Sequence, residues 1–129
     1  MQKKITERTF GVEFEFADVN KKAVSLPMGF SWSKEETITN TDGKRSTFSM
    51  EYGGEVNSPP LKLCQEDRKL LKSVFENLKE KGGKVTWIQA LHVHIYAGDF
   101  SLSDLKKVFY LSYYTAPYIQ EIAYIDSWK

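Results

Sequence analysis

The sequence predicts an α+β protein in which a mainly antiparallel sheet carries helices on one face. Apolar and polar residues alternate strictly over residues 9–17, and in 84–97 an apolar face is formed by residues 85, 87, 91, 93 and 95, as is typical of strands with one buried face. Apolar residues recur at helical spacing over 65–81 and after residue 101, which predicts two helices. Because no linker, repeat or low-complexity segment interrupts the chain, we expect one domain over residues 1–129.

The first predicted strand, TFGVEFEFA, separates two kinds of side chain. One face is apolar and consists of Phe10, Val12, Phe14 and Phe16. The other face is small or acidic and consists of Gly11, Glu13, Glu15 and Ala17. After this strand we expect a loop over 18–28 and then short strands around Phe30, Trp32 and Ile38.

The middle of the chain combines turn and strand signals. Residues 41–44, Thr-Asp-Gly-Lys, have the composition of a turn, and residues 46–52 alternate again. The glycines at 53–54 predict a bend or bulge, and the prolines at 59–60 end any strand that precedes them.

Two helices frame the last predicted strand. The helix over 65–81 stops at Gly82 and carries an apolar stripe of Leu71, Val74, Phe75 and Leu78. Ser101 and Asp104 resemble a capping box that opens the second helix. We expect Pro117 to kink or restart that helix, which runs to about Ile125.

Charge and cysteine content exclude several classes of protein. The chain has 18 basic and 17 acidic residues, so its net charge of +1 gives no electrostatic case for a nucleic-acid or membrane partner. The single cysteine, Cys64, excludes an internal disulfide and fits a reducing compartment. Since no signal peptide or membrane-length apolar run is visible, we expect a cytoplasmic protein.

Glu13 and Glu15 are the first candidate site residues. Two positions apart in a strand, they project to the same side with about 7 Å between their Cα atoms. Carboxylates that close repel one another unless water or a cation screens them. A solvent-facing side of an amphipathic strand is the alternative, although Gly11 on the same face permits close approach of a ligand.

His92 and His94 repeat this geometry on the later strand, opposite Leu91, Val93 and Ile95. His-x-His is a known metal-ligand spacing, and two ordinary half-exposed histidines are the alternative. Glu55, which follows two glycines, is either a third acidic member or a surface acid beside a turn.

The two strands together predict a site more strongly than either alone. If both belong to one sheet, their apolar faces meet the same helices, and their polar faces therefore lie on the same open side. Oxygen-rich sites favour Mg²⁺ or Mn²⁺, and phosphate oxygens often complete the coordination. We therefore expect a nucleotide with a divalent cation as the ligand.

Three blocks of the sequence resemble the signature of the amidoligases. These blocks are GVEFEF at 11–16, YGGEVNSPPL at 52–61 and LHVHI at 91–95, and the likeness extends from about residue 10 to residue 111. Amidoligases belong to the carboxylate-amine ligase superfamily of glutamine synthetase and glutamate-cysteine ligase. The resemblance implies part of that glutamine-synthetase-like domain, corresponding to its N-terminal half.

The resemblance also implies a reaction and a role for each candidate residue. ATP would phosphorylate a carboxylate substrate to an acyl phosphate, which an amine substrate would then attack, with Mg²⁺ (or Mn²⁺) and ATP as cofactors. All five candidates would belong to the catalytic set. The metal ligands would be Glu13, Glu15, Glu55 and His92, and the nucleotide contacts would be Glu15, Glu55 and His94.

One departure from the family leaves alternatives open. Amidoligases generally have a second half with further acidic ligands and phosphate-clamping arginines, but none of Arg8, Arg45 and Arg68 lies in a matching block. Lysines such as Lys44 or Lys84 could substitute for these arginines in part. A fragment, a site completed by a protein partner or a second copy, and a loss of catalysis all fit this sequence.

The alternative function is a non-catalytic binding or inhibitory protein on a truncated ligase scaffold, of the kind that phages and mobile elements carry. A metal hydrolase is less favoured, because no general base stands out beyond the same five residues. An incomplete sheet would leave an exposed edge, and pairing of two chains would cover it, which favours a dimer.

Overall fold

The structure is a computed structural model that describes residues 4, 7–33, 38–45, 51–86 and 89–124. Its elements are β1 (Thr9–Asn20), a 3₁₀ helix (Lys21–Ala23), β2 (Ser31–Ser33), β3 (Tyr52–Asn57), β4 (Leu61–Lys62), α1 (Gln65–Glu80), β5 (Leu91–Ile95) and α2 (Leu102–Tyr124). All described strand pairs are antiparallel, so the predicted α+β class with a mainly antiparallel sheet is confirmed.

β1 is the central strand of the sheet. Phe10 pairs with both β4 and β5, and Glu13 pairs with both β3 and β5. Because a strand has only two edges, β3 and β4 share one edge of β1 and β5 takes the other. β2 pairs with β3 on the far side. β3, which carries Glu55, and β5, which carries His92 and His94, are therefore direct neighbours of β1.

The hydrophobic core lies between α1 and one face of the sheet. Its buried members are Val12, Phe14, Phe16, Val19, Val24, Phe30, Val56, Val74 and Leu78. The ring of Phe75 in α1 lies 4.5 Å from that of Phe14, measured between centroids. Burying each large apolar side chain stabilises the fold by about 1.5–3 kcal/mol. The predicted helix and its apolar stripe are confirmed.

β1 is longer than predicted because it contains a bulge. Phe16 pairs with Gly54 and Asn20 with Tyr52, so β1 advances four residues where β3 advances two. Asp18 takes up the excess with a φ of 62°. The predicted loop over 18–28 is therefore wrong at its start, and the bulge expected near the two glycines lies on the opposite strand.

β5 is shorter than predicted, since the expected strand over 84–97 is regular only at Leu91–Ile95. Lys84 still forms an isolated bridge with Ala17, and residues 85, 86, 89 and 90 belong to no strand. The side-chain oxygen of Gln89 accepts hydrogen bonds from the N–H and the hydroxyl of Thr86, both at 2.6 Å. These local bonds join residues 86 and 89 to each other, where a regular strand would bond to its neighbour.

The segment before β3 contains the predicted turn. The N–H of Gly43 donates to the carbonyl of Asn40 at 2.9 Å, which closes the turn over 41–44. A short strand forms around Trp32, as predicted, whereas Ile38 is buried outside any strand. Residues 46–50, where a strand was expected, lie outside the described residues.

α2 begins with the predicted capping box. The N–H of Asp104 donates to the hydroxyl of Ser101 at 3.2 Å, and the Asp104 carboxylate accepts from the N–H of Ser101 at 3.0 Å. The helix continues through Pro117, so no restart occurs there. Ile125 lies outside the described residues.

The chain divides into two compact units, one reaching to Tyr96 and one from Ala97 onward. The single domain and the covering of the sheet by α2 both stay predictions. Neither helix in the described residues combines the length and the apolar character that a membrane span requires.

Candidate functional site

The five predicted site residues lie on one face of the sheet, opposite the α1 core. We call Glu13, Glu15, Glu55, His92 and His94 the polar face. Along β1, the residues that alternate with the buried apolar side chains all point to this side. The register then pairs Glu13 with His92, Glu15 with Glu55, and Gly11 with His94.

Glu13 connects the two histidines. Its Oε2 lies 3.2 Å from Nδ1 of His92, and its Oε1 lies 3.1 Å from Nε2 of His94. The hydrogen bond with His94 is the largest influence that holds the pKa of Glu13 below its usual value of 4.5. Partial burial opposes this shift, and the contact with His92 adds to it. Glu13 is thus an ionised acceptor that orients two imidazole rings.

Glu15 and Glu55 face each other across neighbouring strands. The N–H of Ser58 donates to the carbonyl of Val12 at 2.9 Å, so the pair formed by these residues is hydrogen-bonded. Counting along the register, Glu15 and Glu55 form a non-hydrogen-bonded pair, where side chains are closest. Like charges directly opposite each other destabilise a sheet. Both glutamates are only 8% exposed.

Neutral donors satisfy part of this carboxylate pair. The N–H of Ala90 donates to Oε2 of Glu15 at 2.9 Å, and the hydroxyl of Ser33 donates to Oε1 of Glu55. Among the described residues, no lysine or arginine forms an ion pair with either glutamate. A cation bound beside the pair would screen the repulsion between carboxylates this close.

Three members of the polar face can hold one metal ion. Glu13, Glu55 and His92 each offer a ligand atom, and these atoms lie within 4.8 Å of one another. Two carboxylate oxygens with one imidazole nitrogen suit Mn²⁺ well, and Mg²⁺ when water or phosphate supplies further oxygens. Glu15 lies directly opposite Glu55, next to this trio.

The sequence prediction missed polar residues that continue the polar face. Asn57 pairs with Glu13 on one side and with Ser31 on the other. Its Oδ1 is buried and has no hydrogen-bond partner among the described residues. Ser33, the donor to Glu55, lies on the same face. Alternation along β2 and β3 could have identified them, because it puts Ser31, Ser33 and Asn57 on the same face of the sheet as the glutamates.

The basic residues considered as phosphate clamps have other partners. The ammonium of Lys84 lies 2.9 Å from Oδ2 of Asp18, and that of Lys44 lies 3.3 Å from Oδ2 of Asp42. A guanidinium nitrogen of Arg8 donates to a backbone carbonyl at 2.9 Å. In the part of the chain that the structure describes, the two lysines form ion pairs and the arginine forms a backbone hydrogen bond, all with residues outside the polar face.

A family model described as "Putative amidoligase enzyme" matches residues 30–128. The matched stretch includes Glu55, His92 and His94, and it begins after β1. A comparison with curated proteins and a comparison with solved structures each found no match.

Proposed function

Since the chain belongs to the amidoligase family, we propose that its polar face binds ATP with a divalent cation and supports amide formation between a carboxylate and an amine. The family match includes the blocks at 52–61 and 91–95, and the block at 11–16 lies before its start. The buried Glu15–Glu55 pair beside Glu13 is the observation that carries the proposal. It concentrates negative charge among neutral donors, in a position where a cation would stabilise the protein.

The proposed reaction has two steps. A carboxylate oxygen of the first substrate attacks the γ-phosphorus of ATP, and the bond to the β–γ bridging oxygen breaks to release ADP. The amine nitrogen then attacks the acyl carbon, the bond from this carbon to the phosphate oxygen breaks, and the amine loses a proton to a base. When bound, Mg²⁺ or Mn²⁺ supplies charge screening between the phosphate oxygens and the acidic face.

The residues of the polar face take different roles in this proposal. Glu13, Glu55 and His92 are the primary metal ligands, and Glu15 is the fourth. Glu13 also orients both histidine rings, as second carboxylates commonly do beside metal-bound imidazoles. His94, together with Glu15 and Glu55, contacts the nucleotide.

Gly11 favours a nucleotide next to His94. A Cβ built at Gly11 would meet no atom within 4 Å, so the backbone beside His94 is open to a ligand. Phosphate groups need close approach to backbone and side-chain donors, which a glycine permits.

Binding without turnover is the second candidate function. Phosphoryl transfer ordinarily needs cationic side chains on the phosphate oxygens. In the described residues, Lys84, Lys44 and Arg8 have other partners. A non-catalytic or inhibitory protein would use the polar face to hold the nucleotide or metal alone.

Calorimetry with ATP and Mn²⁺ or Mg²⁺ tests the binding step. We expect Glu15→Gln and Glu55→Gln to weaken cation-dependent ATP binding at least tenfold, which corresponds to about 1.4 kcal/mol. Glu76→Gln is the matched control, because Glu76 is an exposed acid on α1. Equal affinities in all three variants, or no cation-dependent binding at all, would contradict the proposed site.

Release of ADP separates the two candidate functions. The protein is incubated with ATP, the cation and mixtures of carboxylates and amines, and ADP is measured by chromatography. ADP that accumulates only when both substrate classes are present supports ligation. Tight binding without ADP release supports the non-catalytic alternative.

A further inference from the structure

β5 has one backbone edge that the described sheet does not use. The N–H of Tyr96 donates to the carbonyl of Thr9 at 2.9 Å, and the carbonyl of Ala90 accepts from the N–H of Glu15 at 3.2 Å. Even-numbered positions from 90 to 96 therefore point their backbone groups toward β1.

The odd-numbered residues of β5 face the other way. Leu91, Val93 and Ile95 direct their N–H and C=O groups to the outer edge, where no described strand pairs with them. Edge strands usually carry a lysine, a proline or a bulge that blocks pairing with other chains. β5, with the sequence LHVHI, has none of these, and all five of its residues are exposed.

We propose that β5 pairs antiparallel with β5 of a second copy of this chain, centred on Val93. This register uses all five residues of both strands. It places Val93 opposite its own counterpart, and it brings Leu91 next to Ile95 of the partner subunit. Apolar side chains meet only apolar side chains, so the strand is complementary to itself under two-fold symmetry.

The same register joins the two polar faces. The outward backbone groups belong to the odd positions. Therefore His92 of one chain and His94 of the partner subunit form a non-hydrogen-bonded pair, with Cα atoms about 4.5 Å apart. The two imidazoles that Glu13 orients in one chain then lie beside the two imidazoles of the second copy. The second copy thus adds side chains to the site, whatever ligand that site binds.

The mass in solution tests the pairing. We expect light scattering to show a mass that rises with concentration from 14.9 kDa to about twice that value. Val93→Pro removes an outward N–H and spares the bonds to β1, so it should keep the protein folded and monomeric. Val93→Lys should do the same through charge repulsion.

Met28→Lys is the control, because Met28 is 99% exposed and lies outside the sheet. It should dimerise like the natural chain. The proposal would be overturned if the natural chain stayed monomeric at every concentration, even if the outer edge of β5 bound a strand of another protein. It would also be overturned if folded Val93→Pro and Val93→Lys still formed dimers.

Cysteine cross-linking tests the register. In a Cys64→Ser background, which lacks other cysteines, His92→Cys and His94→Cys are prepared separately and then mixed under mild oxidation. Non-hydrogen-bonded pairs have a Cα separation that suits a disulfide. We expect a cross-linked dimer in the mixture and neither variant cross-linked alone. Cross-linking of either variant alone would show another register and overturn the proposal.

Discussion

β1 carries acidic residues in two places, and their carboxylates have very different partners. Near its end, Asp18 accepts hydrogen bonds from the N–H of Thr41 at 2.8 Å and from its hydroxyl, and it forms an ion pair with Lys84. We call Asp18, Asn40, Thr41, Gly53 and Lys84 the Asp18 corner. Burial opposes the shift, but these donors and the cation together hold the pKa of Asp18 below its usual value.

The polar face lies in the middle of the same strand and lacks this balance. Its three glutamates share two imidazoles and two neutral donors, with no lysine or arginine paired to them among the described residues. The Asp18 corner therefore stabilises the fold, whereas the polar face retains charge for a ligand. Substitutions in the two clusters should change stability in opposite directions.

Gly53→Ala should have the largest effect, because it disrupts the Asp18 corner directly. A Cβ at Gly53 would lie 2.4 Å from Oδ1 of Asn40, which accepts from the N–H of Asp18 at 2.7 Å. Gly53 also has a φ of 69°, which costs an L-residue about 1–2 kcal/mol. With the displaced hydrogen bond, we expect a loss of about 3 kcal/mol in urea denaturation.

Gly43→Ala separates the two causes. Gly43 has a φ of 83° but no atom within 4 Å of its built Cβ. It should therefore show the backbone cost alone, about 1–2 kcal/mol. Equal losses for both substitutions would mean that the contact with Asn40 contributes nothing.

Asp18→Asn should reduce stability by about 1.5 kcal/mol at pH 7, since hydrogen bonds to a charged group are replaced by neutral ones. A carboxyl with a lowered pKa stabilises the fold above its unfolded pKa, near 3.8 for this group, and this contribution is lost as the pH falls through the lower folded value. The stability of the natural chain should therefore fall more steeply below about pH 4 than that of the variant. Parallel acid limbs in the two urea series would rule out this role for Asp18.

Glu15→Gln should have a smaller effect of opposite sign. The amide oxygen can still accept from Ala90, while the repulsion with Glu55 disappears. Without divalent cations we expect a gain of about 0.5–1 kcal/mol. Saturating Mn²⁺ should raise the melting temperature of the natural chain more than that of the variant. A destabilised variant would mean that Glu15 serves the fold, like Asp18.

Alternation predicted the polar face but not its contacts. Period two decides the side of the sheet on which Glu13, Glu15 and His92 lie, because it is a property of the extended backbone. It does not specify which residues meet across strands. The Glu15–Glu55 pair depends on the register of β3, and the bulge at Asp18 depends on a positive φ that alternation does not encode.

The length of β5 shows a second limit of sequence reasoning. Apolar and polar residues stop alternating at 88–90, where the order of apolar and polar positions reverses, and the side chain of Gln89 bonds to Thr86 just before β5. The carbonyl of Ala90 accepts a hydrogen bond from the N–H of Glu15, and the N–H of Ala90 donates to the Glu15 carboxylate. The interrupted alternation indicates where the regular strand begins, but the hydrogen bonds that Gln89 and Ala90 form depend on the folded backbone and are not shown by residue types.

Lys84→Met should have the smallest effect, and it tests whether the Asp18 corner depends on its cation or on its hydrogen bonds. The Lys84 side chain is 59% exposed, and exposed ion pairs contribute about 0.2–1 kcal/mol. Its loss should therefore cost less than Asp18→Asn, because Thr41 still donates to the carboxylate. Raising NaCl to about 1 M should shrink the difference from the natural chain, as the Debye length falls to about 3 Å. If Lys84→Met lost as much stability as Asp18→Asn, and if the loss persisted in salt, the ion pair would be the main source of stability in the Asp18 corner. The difference in stability between the corner and the polar face would then depend on Lys84 alone.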